Sequence, residues 1–231
     1  MATAQSRPVP TGAQIGDGYP LTLALFVLTA VSGVVDAVSY LGLGHVFTAN
    51  MTGNVVVVGF AIAGAPGFSA AGSLTSLGAF LVGSAWAGRL AQRHRERPRA
   101  RWFRTALLLE ATLTAVATVL AFTAGLGHGT QLVLIALLAL AMGMRNGTVR
   151  KLGVLDISTT VLTMTLTGIA ADSSLAGGAN PRLRRRVLTV VAMIAGAAPG
   201  AALVLHDQAR WALLAGTALV ALVALLYREP A

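Results

Sequence analysis

Three ionisable residues fall inside long apolar stretches of the chain: Asp36, Glu110 and Arg145. A charge in hydrocarbon is costly, so such residues face a bundle interior, a water-filled cavity or one another, and they are the first candidates for chemistry. Asp36 lies about 15 residues into its apolar run, ~22 Å along a helix. It is a candidate for ligand binding or proton coupling, with a hydrogen-bond anchor as the competing structural use. Glu110 and Arg145 sit at similar depth, about one and a half turns from the same face, which makes them a candidate buried ion pair. The stretch VFTANMTGNVVVVGFAIAG, residues 46–64, opens with polar side chains, among them Asn50, Thr52 and Asn54. A second Thr-rich stretch supplies Thr163 and Thr167, with Asn146 upstream. All five, with Asn146 and Asp36, are ligand-binding or coupling candidates. Asn and Thr also cap helix N-termini, and a free helix N-terminus is itself an anion site.

Other chemistries find little support. The chain has no cysteine, and its four histidines, at 45, 94, 128 and 206, share no metal-ligand spacing. No metal and no cofactor are expected. With no activated Ser or Cys arrangement and its acids spread over different segments, the chain is not expected to be an enzyme.

The elements that must position these residues are membrane helices. Hydrophobic residues make up 55% and charged residues 11%, where a soluble domain carries about 25% charged. Mean hydropathy is +0.75. Apolar runs fall at about 21–43, 51–65, 69–90, 105–124, 131–149, 157–171, 187–205 and 210–227. Residues 1–20 are expected to be a disordered cytoplasmic tail, and 21–231 a single polytopic membrane domain. The runs at 51–65 and 157–171 are too short to cross ~30 Å of hydrocarbon as straight helices.

Arginine placement then sets the topology, because Lys and Arg in short loops collect on the cytoplasmic side. If all eight runs crossed, the cluster Arg89, Arg93, Arg95, Arg97, Arg99, Arg101, Arg104 and the cluster Arg182, Arg184, Arg185, Arg186 would face opposite sides. If the two short runs enter and leave by one face, both clusters share a side with Arg145, Arg150, Lys151 and Arg228. The expected fold is therefore an all-α helical bundle of six spanning helices plus two short re-entrant or broken segments. It is placed in the inner (cytoplasmic) membrane with both termini cytoplasmic.

The two short regions also resemble each other. LGLGHVFTANMT (41–52) and LGVLDISTTVLT (152–163) share Leu-Gly, a Val/Ile, a Thr and a Met/Leu-Thr pair at a constant offset of 111 residues. The expected architecture is an inverted 3+3 repeat, with pseudo-repeats at about 21–124 and 131–227. Its two broken segments should approach each other in the core, with Thr52, Asn54, Thr163 and Thr167 near a cavity wall. Asp156 and Asp172 bracket the second segment, and His45 is an outer-loop residue. The spacings Gly196-x-x-x-Gly200 and Gly83-x-x-x-Ala87 permit close helix packing.

The segments SGVVDAVSYLGLGHVFTANMTGN (32–54) and MGMRNGTVRKLGVLDISTTVLTMTLTG (142–168) resemble the two signature regions of the YoaK-like family of bacterial inner-membrane proteins, a domain of unknown function. The resemblance extends over most of residues 20–227 and implies a multi-helix membrane protein with no established activity. Arg145 stands where the family pattern has Gln, and Met164 where it has Gly.

The function expected from these features is a small-solute permease or secondary transporter. The alternative is a non-transporting membrane assembly, structural or lipid-binding protein. Membrane lipid and an unidentified small solute are the expected partners, with no nucleic acid; a homo-oligomer stays open.

Overall fold

The computed structural model describes residues 19–94, 98–153 and 162–227, apart from the side chains of Tyr19 and His128. Six helices are long and apolar enough to cross a membrane: α1 (Tyr19–Gly42), α3 (Ala70–Arg93), α4 (Arg99–Thr123), α5 (His128–Leu152), α7 (Leu183–Leu205) and α8 (Ala209–Leu226). Two short helices, α2 (Met51–Ile62) and α6 (Leu162–Ala171), stand between the first and second long helix and between the fourth and fifth. At 1.5 Å per residue they reach only about 15–18 Å. No strand occurs among the described residues.

The helix ends sort into two faces. On one lie the start of α1 and the end of α8, which share a groove lined by Pro20 and Tyr227, and the start of α4, whose Arg104 donates to the Ala224 carbonyl at 3.1 Å. On the other lie the ends of α1 and α7, which meet at Gly42 and Val204, and the end of α4, where Phe122 stacks edge-on against Trp211 of α8. The first face carries Arg89, Arg93, Arg99, Arg101, Arg104, Arg150, Lys151, Arg182, Arg184, Arg185 and Arg186 at helix ends; the second carries only Arg210 among described Lys and Arg residues. Arg95, Arg97, Arg228 and Asp156 lie outside the described residues.

The helix α4 begins at Arg99, six residues before the apolar run suggests, so Glu110 lies about three turns deep rather than one and a half. Arg is a good helix former, and its long stem lets the guanidinium reach the interface while the backbone stays helical.

Two crossings hold the bundle, α1 with α7 and α3 with α5, and both are made by glycine. A Cβ on Gly196 would land on the Ala30 backbone, and one on Gly33 on the Met193 carbonyl. At the other crossing a Cβ on Gly83 would land on the Leu140 carbonyl, and one on Gly143 on Phe80. Lipid tails supply no hydrophobic drive between helices, so this backbone proximity and its van der Waals contact carry the association. Gly196→Ala and Gly143→Ala should each destabilise the protein by about 1–3 kcal/mol through overpacking, read as a lower melting temperature in detergent.

Contrary to the sequence expectation, the short helices do not meet among the described residues; residues 157–161 of the second segment lie outside them. Among the described residues α2 packs on α3 and α6 packs on α7, with no contact between α2 and α6. Each short helix packs on the long helix that follows it. Thr52, Thr163 and Thr167 are exposed on the bundle surface; Asn54 alone of the four is buried.

Candidate functional site

Between α1 and α2 the chain is not helical over residues 43–50, and its backbone must be satisfied at membrane depth. Side chains perform that task. The Asp36 Oδ1 accepts from the backbone N–H of Thr48 at 3.1 Å and of Ala49 at 2.8 Å. Asn54 reaches back from α2 to Phe47, its Oδ1 accepting from the N–H at 2.9 Å and its Nδ2 donating to the carbonyl at 2.6 Å. Ser76 of α3 donates to the same carbonyl at 2.7 Å, and Gln131 of α5 donates to the Leu43 carbonyl at 2.7 Å. Thr48 donates to Ser39 Oγ at 3.3 Å. Asp36 is 6% exposed and lies six residues, or ~9 Å, from the end of α1, so the break is anchored well inside the bundle.

Asn50 occupies the N-cap position of α2, yet its side chain makes no cap bond. The carboxylate of Asp36 takes over: it holds the two amides just upstream and sets a negative charge near the positive end of the α2 dipole. Phe47 folds over Gly53, where a Cβ would strike its ring at 2.7 Å. Phe47 stacks on Tyr40 at 4.5 Å, and Tyr40 meets His45 edge-on at 5.3 Å, which places His45 at the rim of this segment.

The second polar cluster joins three helices. Arg145 of α5 donates through Nε at 2.9 Å and through Nη2 to Oε1 of Glu110 on α4, and the side chains of both are 1% exposed. Its Nη1 donates to the Leu28 carbonyl of α1 at 2.6 Å and to Ser32 Oγ at 2.9 Å. The depths agree: Leu28, Glu110 and Arg145 lie about 10–16 Å from the arginine-rich face along their own helices. One turn further along α5, the Thr148 hydroxyl is buried and has no hydrogen-bond partner among the described residues.

Of the remaining candidates, Asn146 is partly buried and donates to the Met142 carbonyl at 2.8 Å. Thr167 donates to the Thr163 carbonyl at 2.9 Å within its own helix. Thr165, between them, is the buried threonine of α6. Asp172 pairs with Arg186 at 2.7 Å, and Arg186 also donates to the Gly168 carbonyl, tying the end of α6 to the start of α7. The sequence candidates thus divide into two clusters, Asp36 with Asn54 and Glu110 with Arg145, while Thr52, Thr163 and Thr167 join neither.

Sequence reasoning passed over Ser32, Ser39, Ser76 and Gln131. Ser32, Asp36 and Ser39 follow the spacing i, i+4, i+7 of one helix face, so a polar stripe on α1 was there to find. Ser76 and Gln131 carry no such signal, since each is called in by a backbone carbonyl of a remote segment.

These features define a polytopic α-helical membrane protein with six candidate spans, a buried ion pair and an irregular segment tied down by side chains. Residues 24–226 match the family described as Protein of unknown function (DUF1275), and the chain belongs to it. It is similar to the UPF0700 transmembrane protein YoaK of Bacillus subtilis (strain 168), with 39% identity over 152 residues, 66% of each chain. No solved structure matches it.

Proposed function

We propose that this protein is a small-solute permease of the inner membrane, built as two inverted halves, with its arginine-rich face and both termini in the cytoplasm. One observation carries the reading: the helix pairing keeps its form when α1, α2, α3 and α4 are exchanged with α5, α6, α7 and α8. The pair α1 with α7 becomes α5 with α3, α1 with α8 becomes α5 with α4, α2 with α3 becomes α6 with α7, and α4 with α8 maps on itself. Equivalent helices run in opposite directions, as inverted-topology repeats of secondary transporters do. Orientation follows from the arginines, which gather on the cytoplasmic side of bacterial membranes.

The moving parts follow from the packing. The α1/α7 and α3/α5 crossings are locked by glycine, whereas the backbones of α1 and α5 stay further apart and share apolar core side chains and a few polar contacts. There Arg145 reaches Leu28 and Ser32, while Asp36 latches the segment that leads into α2. Rocking of one crossed pair against the other, with Asp36 as the latch, is the transport step, and the Thr148 hydroxyl, one turn from Arg145 on α5 and without a hydrogen-bond partner among the described residues, offers a ligand contact.

A second reading, a non-transporting structural or lipid-binding protein, is favoured by the complete use of Asp36 Oδ1 and Asn54 in holding backbone. Proteoliposome uptake over a solute panel, chosen from metabolites that accumulate in a deletion strain, separates the two. The permease reading expects saturable uptake by the wild-type protein and its loss in a folded Asp36→Asn variant. Folded protein without flux for any solute overturns the permease. Wild-type uptake by Asp36→Asn removes Asp36 from the mechanism.

A further inference from the structure

We propose that the groove between α4 and α8 binds one anionic phospholipid, its acyl chain along α4 and its headgroup phosphate at Arg210. The groove is an open furrow of about 670 Å³, lined on α4 by Leu108, Ala111, Ala115 and Val119 and on α8 by Thr217 and Ala221. Alanines and a threonine open the furrow, because larger side chains at those positions would fill the space between the two helices. From Leu108 to Thr123 it runs ~22 Å, longer than the ~15 Å depth of one leaflet's hydrocarbon. It therefore accepts a whole acyl chain.

The charge at its mouth selects the headgroup. Arg210 lies seven residues before Thr217 and eleven before Ala221, on the same stripe of α8 and ~10 Å nearer the membrane surface. It leans across to α4, its guanidinium 5.6 Å from the Phe122 ring centroid, and Phe122 in turn meets Trp211 at 5.1 Å. Arg210 is exposed, has no carboxylate partner among the described residues, and is the only described Lys or Arg on this face. A guanidinium at an aromatic belt is placed at headgroup level, and its planar fork fits phosphate oxygens.

Native mass spectrometry of the full chain in detergent, with added phosphatidylglycerol or phosphatidylcholine, tests the site. The wild-type protein should retain one phosphatidylglycerol in preference to phosphatidylcholine. Arg210→Gln should weaken that retention about fivefold, the effect of one basic residue near an anionic surface. Ala115→Phe should abolish it by filling the groove, and unchanged helicity and melting temperature establish that the variant folds. Equal retention by wild type and Arg210→Gln would overturn the proposal. So would a wild-type dimer that Ala115→Phe dissociates, since a second copy of the chain would then occupy the groove.

Discussion

Glu110→Gln is expected to destabilise the protein by about 3–5 kcal/mol, because it leaves the Arg145 guanidinium charged and without its counter-ion at the centre of the bundle. The glutamine can still accept one hydrogen bond, so the loss is of charge compensation rather than of shape. Arg145→Met should be milder than Glu110→Gln, since the carboxyl can take up a proton whereas the guanidinium cannot shed one. The double variant Glu110→Leu with Arg145→Met should recover most of the stability, as apolar replacement of a whole buried pair is often neutral. Equilibrium unfolding in mixed micelles measures all three. A double variant as unstable as Glu110→Gln would show that the bonds from Arg145 to Leu28 and Ser32, and not the ion pair, hold α1, α4 and α5 together.

Asp36→Leu should cost about 2–6 kcal/mol, since it orphans the Thr48 and Ala49 amides, each worth about 1–3 kcal/mol when buried without a partner. Asp36→Asn keeps an acceptor at the Oδ1 position and should melt within about 1 kcal/mol of the wild type. Thermal unfolding of the purified variants gives the comparison. A leucine variant as stable as the asparagine variant would mean that the break at residues 43–50 is satisfied without Asp36. The asparagine variant is also the one that isolates the carboxylate's charge, so it is the form to carry into transport assays.

Apolar run lengths and arginine placement determined, by sequence alone, the class of this protein, its six candidate spans and the two segments too short to cross. Both signals are set by the bilayer: ~30 Å of hydrocarbon demands a minimum helix length, and the charge asymmetry acts on each loop locally. Local spacing likewise exposed the glycine contacts at Gly83 and Gly196, and the burial of both charges paired Glu110 with Arg145, though the apolar run put Glu110 at about half its depth. Tertiary structure decided what each polar group does. Asn50 and Thr52 look like caps in the sequence, but the carboxylate that holds the break comes from Asp36, at least 12 residues earlier, and the Leu43 carbonyl is met by Gln131 from another helix. Thr163 and Thr167 share a motif with Thr52, yet whether a helix face meets protein or lipid depends on how its neighbours pack. Here α2 and α6 lie against α3 and α7. Which side chains of the two similar stretches face inward is a property of the assembled bundle.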